Sequence, residues 1–190
     1  MNTAEEKVAG ADLRFYDNYV LWTDEVAQYP QTAEAFYLAL GVAGEGSELI
    51  VATQSNNRDD ILAEAGDVCW YLSRYIAKVL GKGFGDYINV AAVQRKGGLH
   101  RLTGPRFALE HIGKICGVEK KRVRDGETWD DRKRFEKNAI ASDSAIALIS
   151  WLEDLLRDNG YSLAQALVYN QKKLSKRLEV GTIKGDGDHR

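Results

Sequence analysis

The chain contains few residues that interrupt or cross-link a polypeptide. It has only 2 prolines, Pro30 and Pro105, so long stretches are free to form helices. Its 2 cysteines, Cys69 and Cys116, lie far apart, with no second Cys or His at metal-ligand spacing. This argues against a disulfide framework and against a zinc site. We therefore expect a reducing location, the cytoplasm.

Long apolar runs and net charge are also scarce. No apolar run approaches the roughly 20 residues that cross a bilayer, and the N-terminus lacks the cationic start and apolar centre of a signal peptide. The formal net charge of -2 argues against a general nucleic-acid binder. The sequence thus predicts a protein that binds neither membrane nor nucleic acid.

Apolar periodicity indicates an all-α protein. Period-2 alternation is scarce, and 44% of the residues are hydrophobic, enough to build the core of one domain. A first helix is expected from Asp12, a candidate N-cap, to about Ala27. A second is expected from about Thr32 to Thr53. It is apolar nearly all round, which is typical of a buried helix.

The third predicted helix has the strongest periodic signal. It begins at Asn57 and ends before Gly81. Its apolar residues recur at helical spacing: Ile61, Ala65, Val68, Leu72, Ile76 and Val79. This stripe predicts a helix that packs one face against the core.

The second half of the chain predicts three more helices. A short helix follows Pro105, and a long one begins at Thr128, whose hydroxyl is a candidate cap, and closes before Gly160. Ser162 and Gln165 have the spacing of a capping box, which opens the last helix. All of the predicted elements are therefore helical.

Four carboxylates stand at matched spacing on the second and third predicted helices. Glu45 and Glu48 lie three residues apart, and Glu64 and Asp67 repeat this spacing. If the helices are antiparallel neighbours, the four side chains converge. Like charges about 4 Å apart repel by roughly 4 kcal/mol at an effective dielectric near 20, so such a quartet needs a cation. Carboxylates without histidine favour Mg²⁺, with Mn²⁺ as a substitute, although acidic pairs also occur on solvated helix faces.

The same residues carry a resemblance to a known family. The string GVAGEGSELI, followed by EAGDVCWYL, is similar to the EExxE and ExxD motifs of the MazG-type all-α nucleoside triphosphate pyrophosphohydrolases. Glu45 and Glu48 match the second and third acids of the first motif, whereas Gly44 replaces its first acid. Glu64 and Asp67 match the second motif. The C-terminal NQKKLSKR and GTIKGDGDHR also resemble the ending of compact, phage-encoded members.

The resemblance implies a fold, a reaction and an assembly. The fold would be a helical bundle of that type, one domain over residues 1–190 with an additional helical insertion at about 84–150. The reaction would be Mg²⁺-assisted hydrolysis of (deoxy)nucleoside triphosphates between the α and β phosphates, giving a nucleoside monophosphate and pyrophosphate. The assembly would be a homodimer or homotetramer.

The resemblance and the charge of the substrate suggest roles for individual residues. Glu48 is our favoured candidate to orient or deprotonate the attacking water. A nucleoside triphosphate brings about four negative charges, so hydrogen-bond donors and cationic side chains are expected around it. By the resemblance, the substrate-binding residues are Asn170, Lys173, Arg177, Lys184 and Arg190.

Other functions stay open at this point. A dUTPase-like enzyme and a phosphoribosyl-ATP pyrophosphohydrolase resemble the same acidic pattern. A non-catalytic helical partner protein that has kept the fold is a different class, favoured by Gly44 in place of the first motif acid. A di-iron carboxylate bundle is disfavoured because Glu45, Glu48 and Glu64 are each followed three residues later by a residue other than histidine.

Overall fold

The helices were located in a computed structural model that describes residues 12–55, 57–96 and 104–182. Within these ranges the chain forms seven α-helices and no strand, which confirms the predicted all-α class. The helices are α1 (Leu13–Val26), α2 (Glu34–Ala52), α3 (Arg58–Arg74), α4 (Phe84–Lys96), α5 (Pro105–Asp125), α6 (Asp131–Asp158) and α7 (Leu163–Glu179). Short turns of other helical types are Gln31–Ala33 and Gly126–Thr128, both 3-10, and Tyr75–Val79, a π turn.

Several helix ends follow the caps predicted from the sequence. The Asp12 side chain accepts a backbone hydrogen bond at the start of α1, and Ser162 with Gln165 forms the predicted capping box of α7. Gly81 and Gly160 have φ values of 65° and 80°, a conformation that glycine adopts without strain. Local capping chemistry therefore sets these boundaries.

Some predictions for the second half are wrong. The helix after Pro105 is not short, since α5 has 21 residues. Thr128 does not cap α6: its hydroxyl donates to the carbonyl of Asp125. The cap is Asp130, whose side chain accepts a hydrogen bond from the N–H of Lys133. Furthermore, helix α4 was not predicted, because glycines near its start interrupt the apolar periodicity of the sequence.

One apolar core joins the helices. It contains residues of all seven helices, among them Tyr16, Leu38, Ile61, Phe84, Ile112, Leu148 and Leu163. Helix α2 packs on α3 and α5, α6 packs on α4 and α5, and α7 packs on α3. The described part of the predicted insertion at 84–150 is therefore built into the same core as the rest of the chain.

The two faces of α2 have different environments. Leu38, Val42 and Leu49 are fully buried. Phe36 and Leu40, by contrast, are 45% and 51% exposed. The prediction that this helix is buried around most of its circumference is therefore correct only in part: Ala43 and Ile50 pack against the core, but Phe36 and Leu40 do not.

Among the described residues, one helical stretch, Gln31–Ala52, is long and apolar enough to cross a membrane, judged by length and composition. No segment able to cross a membrane was expected from the sequence. The core helix of a soluble protein passes the same test. Because this stretch carries Glu45 and Glu48 and contributes Leu38, among others, to the core, we treat it as a core helix.

Candidate metal centre

The acidic residues lie on a helical hairpin formed by α2 and α3. Gly41 permits the close approach of these helices, because a Cβ there would lie 2.0 Å from the Tyr71 ring. Tyr37 also lies beside Tyr71, whereas Glu48 lies beside Glu64, nearer the connecting turn. Contacts therefore run in opposite directions along the two helices. The hairpin is antiparallel, as convergence of the acids requires.

Three of the four predicted metal ligands converge. Glu45, Glu48 and Glu64 each place a carboxylate oxygen within 4.8 Å of the other two. Oxygens that ligate one ion at about 2.0–2.6 Å necessarily lie within roughly 5 Å of one another. Glu48 is exposed and the other two are half-buried, so the cluster is accessible from solvent. Its spacing and accessibility suit a divalent cation.

Glu45 lies in an electrostatically unfavourable environment for a carboxylate. The pKa of Glu45 is raised to about 8, first by burial and then by the negative charges of Asp67, Glu48 and Glu64. The charge of Lys173 acts in the opposite direction. Crowded like charges favour the neutral acid. Burial and the neighbouring carboxylates therefore both disfavour the charged form of Glu45.

Asp67, the fourth predicted ligand, contacts α7. Its Oδ1 accepts a hydrogen bond of 2.6 Å from Nδ2 of Asn170, and its Oδ2 forms an ion pair with Nζ of Lys173. Oδ1 of Asn170 in turn accepts a hydrogen bond of 2.7 Å from the hydroxyl of Tyr19. Asp67 thus lies beside the three glutamates without joining their cluster.

A glycine on α3 allows α7 to come close to Asp67. A Cβ on Gly66 would lie 2.8 Å from the carbonyl oxygen of Ala166 and 3.0 Å from Cβ of Asn170. Only glycine accommodates such an approach of backbone to backbone. Gly66 therefore determines how far the α7 side chains reach into the site.

Gly44 stands where the first motif acid of the resembled family would be. It is exposed, and a Cβ at this position would meet no atom within 4 Å. Helix packing therefore does not require glycine here.

The predicted phosphate-binding residues have unequal positions. Asn170 and Lys173 both contact Asp67, so phosphate would have to replace one of these contacts to reach them. Arg177 is buried one turn further along α7. A phosphate-binding role for all three stays a prediction. Two other predicted residues lie outside the described part of the chain: Lys184 and Arg190.

A groove of about 350 Å³ opens beside the cluster. Its lining residues are Ser47, Glu48, Val51, Ala52, Ser55, Asp60 and Glu64. The groove follows the hairpin from the two cluster glutamates towards the turn between α2 and α3. It gives a polar ligand access to the carboxylates.

The hydrogen bond between Tyr19 and Asn170 was not predicted from the sequence. Residue spacing along the first predicted helix indicates no partner for Tyr19. The two residues are 151 positions apart. Local spacing carries no signal for such a pair, so only the packing of α1 on α7 identifies it.

No protein-family model, no curated protein and no solved structure matches this chain. The resemblance to MazG-type enzymes therefore depends on the residues quoted above, and the function depends on the geometry of the acidic site.

Proposed function

We propose that the protein is a Mg²⁺-dependent nucleoside triphosphate pyrophosphohydrolase. The observation that carries this proposal is the convergence of Glu45, Glu48 and Glu64 beside an open groove. Hard carboxylate oxygens without histidine favour Mg²⁺ or Mn²⁺. Burial is the first cause of the raised pKa of Glu45, and a divalent cation would offset the repulsion from Asp67, Glu48 and Glu64 that adds to it. The donor set therefore fits this metal.

The proposed reaction is attack of water on the α-phosphorus. A bond forms between the water oxygen and this phosphorus, the bond to the bridging oxygen breaks, and pyrophosphate leaves. When bound, the cation would supply Lewis acidity and neutralise phosphate charge. Glu48 is the exposed member of the cluster and lines the groove, so it is placed to orient the water and accept its proton.

Lys173 also has a role in the proposed reaction. Its ammonium lies beside Asp67, and its charge already acts on Glu45. A cation at this position would attract the phosphates of a bound nucleotide. We propose that Lys173 contributes to the binding of the pyrophosphate leaving group.

We propose a homodimer, or a homotetramer made of two dimers, as the functional form. Phe36, Leu40 and Val51 are large apolar residues of α2 that the chain leaves exposed. A second copy would remove this surface from water if the interface buried at least about 1,000 Å². Light scattering at micromolar concentration tests the assembly, and a monomer would contradict it.

We propose that the protein is located in the cytoplasm, in keeping with its two free cysteines.

The experiment that tests the function is an assay of pyrophosphate release from a panel of ribo- and deoxynucleoside triphosphates. We expect release with Mg²⁺ and none with a chelator. A strong preference for dUTP or for phosphoribosyl-ATP would assign the protein to one of those related activities. Binding of Mg²⁺ without turnover of any nucleotide would instead favour the non-catalytic partner protein.

A further inference from the structure

A line of buried hydrogen bonds connects α1 to the acidic site through α7. The Tyr19 hydroxyl donates to Oδ1 of Asn170 at 2.7 Å, and Nδ2 of Asn170 donates to Oδ1 of Asp67 at 2.6 Å. Tyr19 is buried, and Asn170 is 0% exposed. Buried polar groups are costly unless they are hydrogen-bonded, so these bonds restrict the side chains strongly.

The Tyr19 hydroxyl determines which end of the Asn170 amide faces the site. An amide has a donating end and an accepting end, which a rotation of the side chain interchanges. A hydroxyl on the other side of the amide donates to the oxygen, which leaves the NH₂ group for the carboxylate of Asp67. Burial raises the pKa of Tyr19 well above its ordinary value, so the hydroxyl keeps the proton that it donates.

We propose that Tyr19 and Asn170 are positioning residues of the acidic site: the hydroxyl orients the amide, and the amide fixes the Asp67 carboxylate beside Glu45. With Oδ1 held by Asn170, the other oxygen of Asp67 faces Lys173. The inference rests on the proposed function in one respect, namely that the acidic site binds a divalent cation.

A role in positioning differs from a role in packing α1 on α7. Outer hydrogen bonds that orient the acidic groups of a metal site change metal affinity by about 10–100-fold when they are removed. Loss of the hydroxyl leaves Oδ1 of Asn170 buried without this donor, so the amide and the Asp67 carboxylate are no longer held in one orientation. A packing contact would lower stability and leave metal affinity unchanged.

The test is the variant Tyr19→Phe, which removes the hydroxyl and keeps the ring. The matched control is Tyr87→Phe, because Tyr87 is also buried and its hydroxyl lies 2.7 Å from Oγ of Ser142, between α4 and α6. Each variant is measured in two ways. Nuclear magnetic resonance follows hydrogen exchange of the Asn170 side-chain amide without metal, and electron paramagnetic resonance follows Mn²⁺ binding.

We expect Tyr19→Phe to speed exchange of the Asn170 amide protons and to weaken Mn²⁺ binding by roughly 3–10-fold, at or below the low end of the range for such outer hydrogen bonds because Asp67 lies beside the cluster rather than in it. Tyr87→Phe should change neither quantity. In an Asn170→Leu background, Tyr19→Phe should cause no further loss of Mn²⁺ affinity, because the hydroxyl then has no amide to orient. Melting curves of each variant establish that it is folded.

Unchanged Mn²⁺ affinity in Tyr19→Phe would overturn the positioning role. An equal loss in Tyr87→Phe would also overturn it, since the loss would then reflect stability alone. If the wild-type protein binds no Mn²⁺, the proposed function fails separately. The orientation of Asn170 by Tyr19 is then decided by amide exchange, and equal exchange in wild type and Tyr19→Phe would refute it.

Discussion

Glu119 and Glu45 are both carboxylates removed from bulk water, but their surroundings differ in charge. Glu119 accepts a hydrogen bond from the Tyr75 hydroxyl at 2.5 Å and another from Arg122 at 2.8 Å. Glu45 instead lies among other acids, and burial with their charge raises its pKa to about 8. One carboxylate is neutralised within the fold, whereas the other is crowded by charge of its own sign.

Arg122, which pairs with Glu119, also contacts other residues. Arg122 donates to Oδ1 of Asn138 at 2.9 Å and lies 5.5 Å from the centre of the Trp129 ring. A network with paired charges and satisfied hydrogen bonds holds helices together without a ligand. The acidic site differs from this network, because the charges of Asp67, Glu48 and Glu64 add to the raised pKa of Glu45.

The largest effect on stability is expected at the balanced cluster. Glu119→Gln keeps the shape of the side chain but leaves Arg122 without a buried counter-charge, so the free energy of unfolding should fall by about 3–5 kcal/mol. Urea denaturation measures this. Turnover per folded molecule should not change. The exposed Glu136 on α6 supplies the control Glu136→Gln, expected to stay within about 0.5 kcal/mol of the wild type.

The opposite pattern is expected at the acidic site. Glu48→Gln removes a ligand charge and the proposed base, so turnover should fall by roughly 10² or more. The metal-free variant should be as stable as the wild type or more stable, because one repulsive charge is gone. Turnover and melting temperature should be measured on one sample. Lowered stability with intact turnover would show that Glu48 has a structural role like that of Glu119.

Replacing a glycine by alanine should have opposite effects on stability next to the two clusters. In Gly66→Ala the new methyl group would meet the Ala166 carbonyl oxygen, so we expect a loss of about 1–3 kcal/mol and weaker Mn²⁺ binding. Gly117, near Glu119 on α5, has open space around its Cβ position. Gly117→Ala should therefore stabilise the helix by about 0.5–1 kcal/mol. Equal effects of the two variants in urea denaturation would refute the role given to Gly66.

The last prediction is a dependence of stability on pH. The pKa of Glu45 is raised from 4.5 to about 8, so between these values the folded protein holds a proton that the unfolded chain has lost. The metal-free protein should therefore lose stability as pH rises through this window. Melting temperatures of the wild type and Glu45→Gln should diverge with pH, and saturating Mg²⁺ should reduce the divergence. Parallel curves would contradict the raised pKa.

Local signals predicted much of the secondary structure. The contacts of Asp67, by contrast, involve residues distant in the sequence, which local signals do not predict. Ser162 and Gln165 are three residues apart, so their capping box is visible in the sequence. Asp67 and Lys173 are 106 positions apart, and their ion pair depends on where α7 packs. The i, i+3 spacing places Asp67 one turn from Glu64 but does not show which neighbouring helix it faces.

The burial of α2 was predicted only in part, for a related reason. An apolar pattern shows that a helix face avoids water, but it does not show whether the same chain or another copy covers it. Leu38 is buried by its own chain, whereas Phe36 and Leu40 are not. The pattern therefore identified the helix correctly and its surroundings only in part.

The open space at Gly44 has an evolutionary consequence. Some glycine codons become glutamate codons by a single nucleotide change, and a Cβ at this position would meet no atom within 4 Å. Gly44 directly precedes Glu45 and lies one helical turn before Glu48. Where Gly44 has such a codon, variants with an extra carboxylate at this position arise in one mutational step, and selection could adjust the charge of the acidic site while the hairpin stays intact.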